Sequence, residues 1–276
     1  MKLFMGPAGI PLSAKGEGTQ AGIRKVKDIG LEAMEVEFVR GVKMKNETAM
    51  EIGKVREETG IKLSVHGPYY INLASKEPKK IEASKQRILR SCERAHHMGA
   101  SPVVFHPGYY GKYTPQETYE IVKKGILEIT DKIRERGWKI KIAPETTGKV
   151  SQFGTLDELV LLLREIKNKN CELCLDFAHM WARYQGDVDY SQVMEKAKKT
   201  GPEILHTHFS QINYSEKGER NHMTFEEAKM KSPPVEKVCR AVLDSGQDTR
   251  IISESPVLEE DSARMRKVFE KLGHEF

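Results

Sequence analysis

The sequence predicts an α/β fold in which eight strand–helix units close into one TIM barrel, filling residues 1–276 as a single domain with its active site at the C-terminal face. Three observations carry that expectation. Eight short β-rich runs recur with starts 29 to 46 residues apart, and the stretches between them have helical period and composition. Along the second to sixth runs one parity is apolar and the other largely polar, as when one face packs on helices and the other fills a barrel. Several runs end in a histidine or an acid, at the rim where such barrels place their chemistry. A doubly wound sheet is the alternative, but a parallel sheet buried on both faces reads as continuously apolar.

In chain order the runs are KLFMGPA (2–8), AMEVEFV (33–39), KLSVHGP (62–68), PVVFHPG (102–108), KIKIAPE (139–145), ELCLDFA (172–178), ILHTHFS (204–210) and RIISESP (250–256). Met34, Val36, Phe38, Leu63, Val65, Val103, Phe105, Ile140, Ile142, Leu173 and Leu175 are expected to face the helices. Glu35, Glu37, Ser64, His66, Val104, His106, Lys141, Ala143, Glu145, Glu172, Cys174 and Asp176 are expected to point inward. Helices are predicted within 46–60, 81–99, 114–137 and 155–170. Thr114 with Glu117, and Thr155 with Glu158, have the spacing of a capping box, while Gly60, Gly99 and Gly137 suit helix ends. The stretch 211–234 shows no evident strand, and a loop of that length inside a compact domain is usually functional.

Composition bounds the class. With 38% hydrophobic and 31% charged residues and no apolar window of spanning length, the chain has a soluble balance, which excludes a membrane protein. The N-terminus shows no signal-peptide pattern, so a cytoplasmic protein with no membrane partner is expected, as a monomer. Cys92, Cys171, Cys174 and Cys239 lack a disulfide framework, and Cys171 and Cys174, three apart on a strand, face opposite ways; reduced thiols are expected. A net charge of +5 permits an anionic partner without requiring one.

The rim collects His66, His106, Glu145, Asp176, His208 and Glu254 from strand ends, with His179 on a turn beyond the sixth strand and Glu219 and His222 from the long loop. Imidazoles and carboxylates together are ligands for zinc or manganese, and so many exceed what one metal needs. Two or three metals sharing a bridging carboxylate would use them. His206, two positions deeper than His208, reads as a hydrogen-bonded core histidine, and His96, His97 and His274 as surface residues. Glu35, Lys141 and Glu172 read as a buried ionic layer beneath the rim, and Glu37, which has the parity and depth of a metal ligand, as either a ligand or a carboxylate holding a ligand imidazole by its other nitrogen.

Tyr69, Tyr70, Tyr109, Tyr110, Tyr113, Tyr184 and Tyr214 fall in strand-to-helix loops with Phe153 and Trp181. Arg40, Lys43, Lys45, Lys112, Lys149, Arg183, Lys217 and Arg220 accompany them. Aromatics interleaved with cations can stack on bases while neutralising phosphates, which makes nucleic acid a natural guest.

These residues resemble the endonuclease IV family, zinc-dependent apurinic/apyrimidinic endonucleases within the xylose-isomerase-like barrels. HGPYYINLAS (66–75), FHPG (105–108), PETTG (144–148), LDFAH (175–179), THFSQ (207–211) and SESP (253–256) are similar to that family's strand-end motifs, in order and along nearly the whole chain. The resemblance implies two or three Zn2+ ions, with Mn2+ as a substitute. His66 and His106 would hold the first with Glu145 bridging, and Asp176, His208 and Glu254 would complete the second. The third would take His179 with two residues of the long loop, where GERNHM (218–223) departs from the family by placing Asn221 at the expected histidine. Glu219 and His222 are then the expected ligands. Glu145 and Glu254 are the implied catalytic carboxylates. The implied substrate is double-stranded DNA with abasic sites, cut on the 5′ side to leave a 3′-hydroxyl and a 5′-deoxyribose phosphate in base excision repair. Arg40, Tyr69, Lys112, Lys149, Arg183 and Arg220 are the implied DNA contacts.

The rival expectation is a sugar isomerase or epimerase of the same superfamily. It would use Glu145, Asp176, His208 and Glu254 around one divalent metal and leave His66, His106 and His179 without a role.

Overall fold

The computed structural model describes residues 1–228 and 232–276, and each β-rich run contributes a strand to it. These are β1 (Leu3–Pro7), β2 (Ala33–Glu37), β3 (Lys62–His66), β4 (Val103–Phe105), β5 (Ile142–Pro144), β6 (Cys174–Asp176), β7 (Leu205–Phe209) and β8 (Thr249–Ser253). Parallel ladders join β2-β3-β4-β5 into one half and β1-β8-β7-β6 into the other. The halves meet at two seams. At one, Ala8 bridges Glu35 and Gly9 N–H donates to the Glu35 carbonyl at 2.9 Å; at the other, Ile142 bridges Cys171 and Glu145 bridges Cys174. Closure at both seams makes the sheet a TIM barrel and excludes the doubly wound alternative.

Helices α1 (Gly18–Asp28), α2 (Asn46–Thr59), α3 (Pro78–Met98), α4 (Pro115–Glu135) and α5 (Leu156–Ile166) pack outside, the short α6 (Phe177–Arg183) follows β6 at the mouth, and α7 (Tyr190–Lys198), α8 (Val235–Ser245) and α9 (Glu259–Lys271) again pack outside. Both capping boxes form: Thr114 and Thr155 accept from the N–H groups of Glu117 and Glu158, whose carboxylates reach back. Gly60 and Gly99 end α2 and α3 in the left-handed conformation at φ 74° and 64°. No helix among the described residues is long and apolar enough to cross a membrane.

Strand parity divides the core. Met34, Val36, Leu63, Val65, Val103, Phe105, Ile142, Leu173 and Leu175 belong to the large apolar core shared with the helices, where each buried side chain contributes about 1.5–3 kcal/mol. Val104, Ala143 and Cys174 form a separate small cluster on the opposite parity, an apolar layer inside the ring. Below it Lys141 Nζ meets Glu172 at 2.7 Å. Glu35 does not join that pair as expected. It sits at the β1–β2 seam, and its carboxylate reaches two histidines of β7.

The stretch after β7 also departs from expectation. Gln211–Ser215 and Gly218–Met223 pair as an antiparallel hairpin, with a bulge between Asn213 and Tyr214. Its polar side chains hide the strand pattern in the sequence. A smaller antiparallel pair, Gly108–Tyr109 with Gln152–Phe153, covers the β4 and β5 loops.

Candidate metal centre

Strand ends and two short elements bring nine side chains to one mouth of the barrel. His66 ends β3, and its Nδ1 lies 2.8 Å from the Gly67 carbonyl, an acceptor that puts the proton on Nδ1 and leaves the Nε2 lone pair facing inward. His106 follows β4, Glu145 follows β5, and His208 lies within β7. Asp176 ends β6 and caps α6, with Oδ1 accepting the His179 N–H at 2.6 Å. That bond places His179 in the first turn of a helix, where sequence reasoning had a turn. The Thr146 carbonyl, 3.0 Å from His179 Nδ1, directs the other ring nitrogen into the site.

Glu145 is the centre of this arrangement and is fully buried. Its Oε2 lies 2.8 Å from His106 Nε2 and 3.4 Å from His66 Nε2, while its Oε1 lies 2.8 Å from His208 Nδ1 and 3.5 Å from His179 Nδ1. One carboxylate therefore serves two groups of ligands. Among the described residues, three sets at this mouth have potential ligand atoms all within 4.8 Å of one another: His66, His106 and Glu145; Glu145, Asp176, His208 and Glu254; and His179, Glu219 and His222. Within the third, His179 Nε2 is 3.4 Å from Glu219 Oε2, and between the third and second His222 Nε2 is 3.4 Å from Glu254 Oε2.

The hairpin separates Asn221 from His222. Asn221 pairs with Asn213 and is exposed, whereas His222 is drawn inward by Ser210 Oγ, 2.6 Å from its Nδ1. The hairpin itself is pressed onto the β5 loop: a Cβ at Gly218 (φ +93°) would lie 2.1 Å from the Gly148 carbonyl oxygen, and one at Gly148 2.6 Å from Glu219 Cβ. Ser210, Thr146, Gly148 and Gly218 thus orient the cluster. Nothing in the sequence marks them beyond their nearness to rim residues.

The electrostatics are those of a site built for positive charge. Burial alone would raise the Glu145 pKa, yet the imidazoles of His208 and His106 hold it well below the carboxylate range. Burial pushes His66 down, but the bond to Glu145 and the charges of Glu37 and Glu145 outweigh it and raise its pKa to about 10. Asp176 rises to about 6 through burial, which His179 only partly offsets. Asp176 Oδ2, His179 Nε2 and Glu254 Oε2 are buried without a hydrogen-bond partner, a costly condition unless something else satisfies them. Nitrogen and carboxylate donors left open in this way fit zinc or manganese.

Two expectations change here. Glu37 holds no imidazole: its Oε1 is buried and unpartnered, the Gly67 carbonyl takes His66 Nδ1, and burial raises the Glu37 pKa to about 8. Arg183 does not face a guest. Its guanidinium donates to the carbonyls of Thr147, Lys149 and Gln152 at 3.3, 2.7 and 3.0 Å and so clamps the β5 loop from below. Arg40, Lys112 and Arg220 are exposed, Lys149 is partly so, and Tyr69 and Tyr70 are 61% and 62% exposed. Tyr110 instead donates to Glu158 at 2.7 Å and supports α5. All four cysteines are buried and free.

A family model described as a xylose isomerase-like TIM barrel matches residues 23–272. An uncharacterised protein of Methanocaldococcus jannaschii is 36% identical over 278 aligned positions, spanning 98% of each chain. A probable endonuclease 4 of Mycoplasma mobile is 34% identical over 119 positions, 42% of this chain and 40% of its own. Among solved structures, a D-tagatose 3-epimerase-like protein superposes with a TM-score of 0.75 at 20% identity, covering 98% of this chain and 96% of its own. Endonuclease IV from Thermus thermophilus superposes with a TM-score of 0.70 at 20% identity over 98% of each. At that identity both likenesses concern the fold alone.

Proposed function

The chain belongs to the xylose isomerase-like TIM barrel family, and from that premise we propose that it is a metal-dependent phosphodiesterase cutting DNA on the 5′ side of abasic sites. The observation that carries this reading is the number of ligand sets. Glu145, Asp176, His208 and Glu254 would suffice for a one-metal sugar isomerase or epimerase, but His66 with His106, and His179 with Glu219 and His222, form two further sets beside them. The endonuclease 4 relative supports the same reading over less than half its length.

On this reading His66, His106 and Glu145 would hold one cation, Glu145, Asp176, His208 and Glu254 a second, and His179, Glu219 and His222 a third. Bound zinc or manganese supplies Lewis acidity to a phosphate and lowers the pKa of water. The side chains do the rest. Glu145 couples the first two sets through its two oxygens. Glu254 Oε2, buried and without a hydrogen bond, lies between the second and third sets, where it can accept a proton. Tyr69, its ring centroid 6.0 Å from that of His66, offers an exposed aromatic face beside the centre, and Arg40, Lys112, Lys149 and Arg220 neutralise phosphates around it.

The test is incubation of a duplex carrying one abasic analogue with zinc-loaded protein, with and without a chelator. A chelator-sensitive nick 5′ to the lesion, leaving a 3′-hydroxyl, is expected. Intact duplex, or a lyase product on the 3′ side, would sink the reading. A one-metal isomerase or epimerase on Glu145, Asp176, His208 and Glu254 is the alternative, and metal analysis separates the two: a single tightly bound ion per chain supports the isomerase.

A further inference from the structure

Beneath the centre lies a buried carboxylate to which the proposed function gives no role. Glu35 on β2 is fully inaccessible to solvent. Its Oε2 accepts from His206 Nε2 at 3.0 Å, and its Oε1 stands 3.0 Å from His208 Nε2, close but not aligned as a hydrogen bond. The opposite nitrogen of that ring, His208 Nδ1, is 2.8 Å from Glu145 Oε1 and 3.6 Å from Glu254 Oε1. The His208 ring is therefore strung between a carboxylate below and the ligand carboxylates above.

A neutral imidazole carries one proton, and a negative charge beside one nitrogen draws the proton to that side, leaving the lone pair on the other. We propose that Glu35 is a positioning residue: it fixes the tautomer and ring orientation of His208 so that Nδ1 is presented to the cation held with Glu145, Asp176 and Glu254. The proposal rests on the metal-centre reading above. His206 completes the device, because its N–H pins one oxygen of Glu35 and keeps the carboxylate from rotating away from His208.

The competing use of these atoms is a cation of their own, since potential ligand atoms of Cys174, His206 and His208 lie within 4.8 Å of one another. Cys174 argues against it: it packs with Val104 and Ala143 in the apolar layer, surroundings that favour the neutral thiol.

The experiment compares zinc content, chelator-competition affinity and the visible spectrum of the cobalt-substituted protein for wild type, Glu35→Gln, His206→Leu and Cys174→Ser. Wild type is expected to bind at least two zinc ions. Glu35→Gln is expected to weaken one of them by about 10–100-fold, leave the others unchanged and shift the cobalt spectrum, with the metal-free melting temperature nearly preserved. His206→Leu is expected to show a smaller loss at the same ion, and it tests the proposal should Glu35→Gln not fold. Wild type without zinc overturns the metal-centre reading itself. Wild type with zinc, and both variants at wild-type affinity and spectrum, overturns the role of Glu35 alone. Loss of a whole zinc ion in Cys174→Ser overturns it too, in favour of an interior cation.

Discussion

Glu145 divides its oxygens between two sets of imidazoles, so its loss differs in kind from the loss of a terminal ligand. Glu145→Gln is expected to lower the affinity of two zinc ions together and to cut cleavage by on the order of a thousandfold or more, whereas His106→Ala weakens mainly one. Metal titration monitored by a chelator dye separates the two patterns. Asp176 has a double duty that a substitution can split. Asp176→Asn keeps the side-chain oxygen that caps α6 but removes the charge of the unpartnered Oδ2. The expected outcome is a weaker second zinc with the melting temperature changed by only a few degrees, since a cap contributes about 1 kcal/mol.

At the level of elements, the hairpin carries Glu219 and His222 of the third proposed ligand set and is seated through glycine. Gly218→Ala meets both a left-handed φ of +93° and the Gly148 carbonyl, a local cost of about 1–3 kcal/mol. One zinc fewer and at least about tenfold slower cleavage are expected, with barrel ellipticity unchanged. A second latch ties the chain's start to α9: buried Glu259 accepts from the N–H groups of Leu12 and Ser13 at 2.8 and 3.0 Å and from Ser13 Oγ at 3.0 Å. These donors hold its pKa below the ordinary 4.5, although burial opposes them. A depressed carboxylate pKa means stability present above the ordinary value and lost as the pH falls through the folded one. Glu259→Gln should therefore melt earlier than wild type at neutral pH, by about 1 kcal/mol, with the gap closing as the pH drops below 4.5. The sequence made the strands and their rim legible, because period-two alternation is a strong signal and the residue at a strand's end has only one mouth to face. The hairpin was not legible: its apolar face is short, with Ile212 packed on Ala178 and Ala182, and the bulge at Asn213 and Tyr214 shifts the register that separates Asn221 from His222. Nor was the fate of Arg183, since a cation bound to carbonyls and one offered to phosphate look alike in sequence.

For the whole molecule, the mouth gathers buried imidazoles whose protons any cation must displace. His66, raised to about 10, and His179, raised by Asp176, Glu219 and Glu145 against the effect of burial, hold protons at neutral pH when no metal is bound. Zinc binding is therefore expected to release more than one proton per chain, and its affinity to fall as the pH is lowered. Calorimetry in buffers of different ionisation enthalpy measures both. The seams give the same ions a mechanical role. His66, His106 and Glu145 belong to the β2–β5 half of the ring and Asp176, His208 and Glu254 to the other, and the halves meet through isolated bridges instead of full ladders. On the proposed ligand assignment, an ion clasped by Glu145 on one side and by Asp176, His208 and Glu254 on the other is a rivet across that joint. Without it the ring can part where it is least sewn, and amide exchange at Thr146, whose N–H donates to the Cys174 carbonyl across the joint at 3.1 Å, should slow on zinc loading far more than at Val65 inside an unbroken ladder.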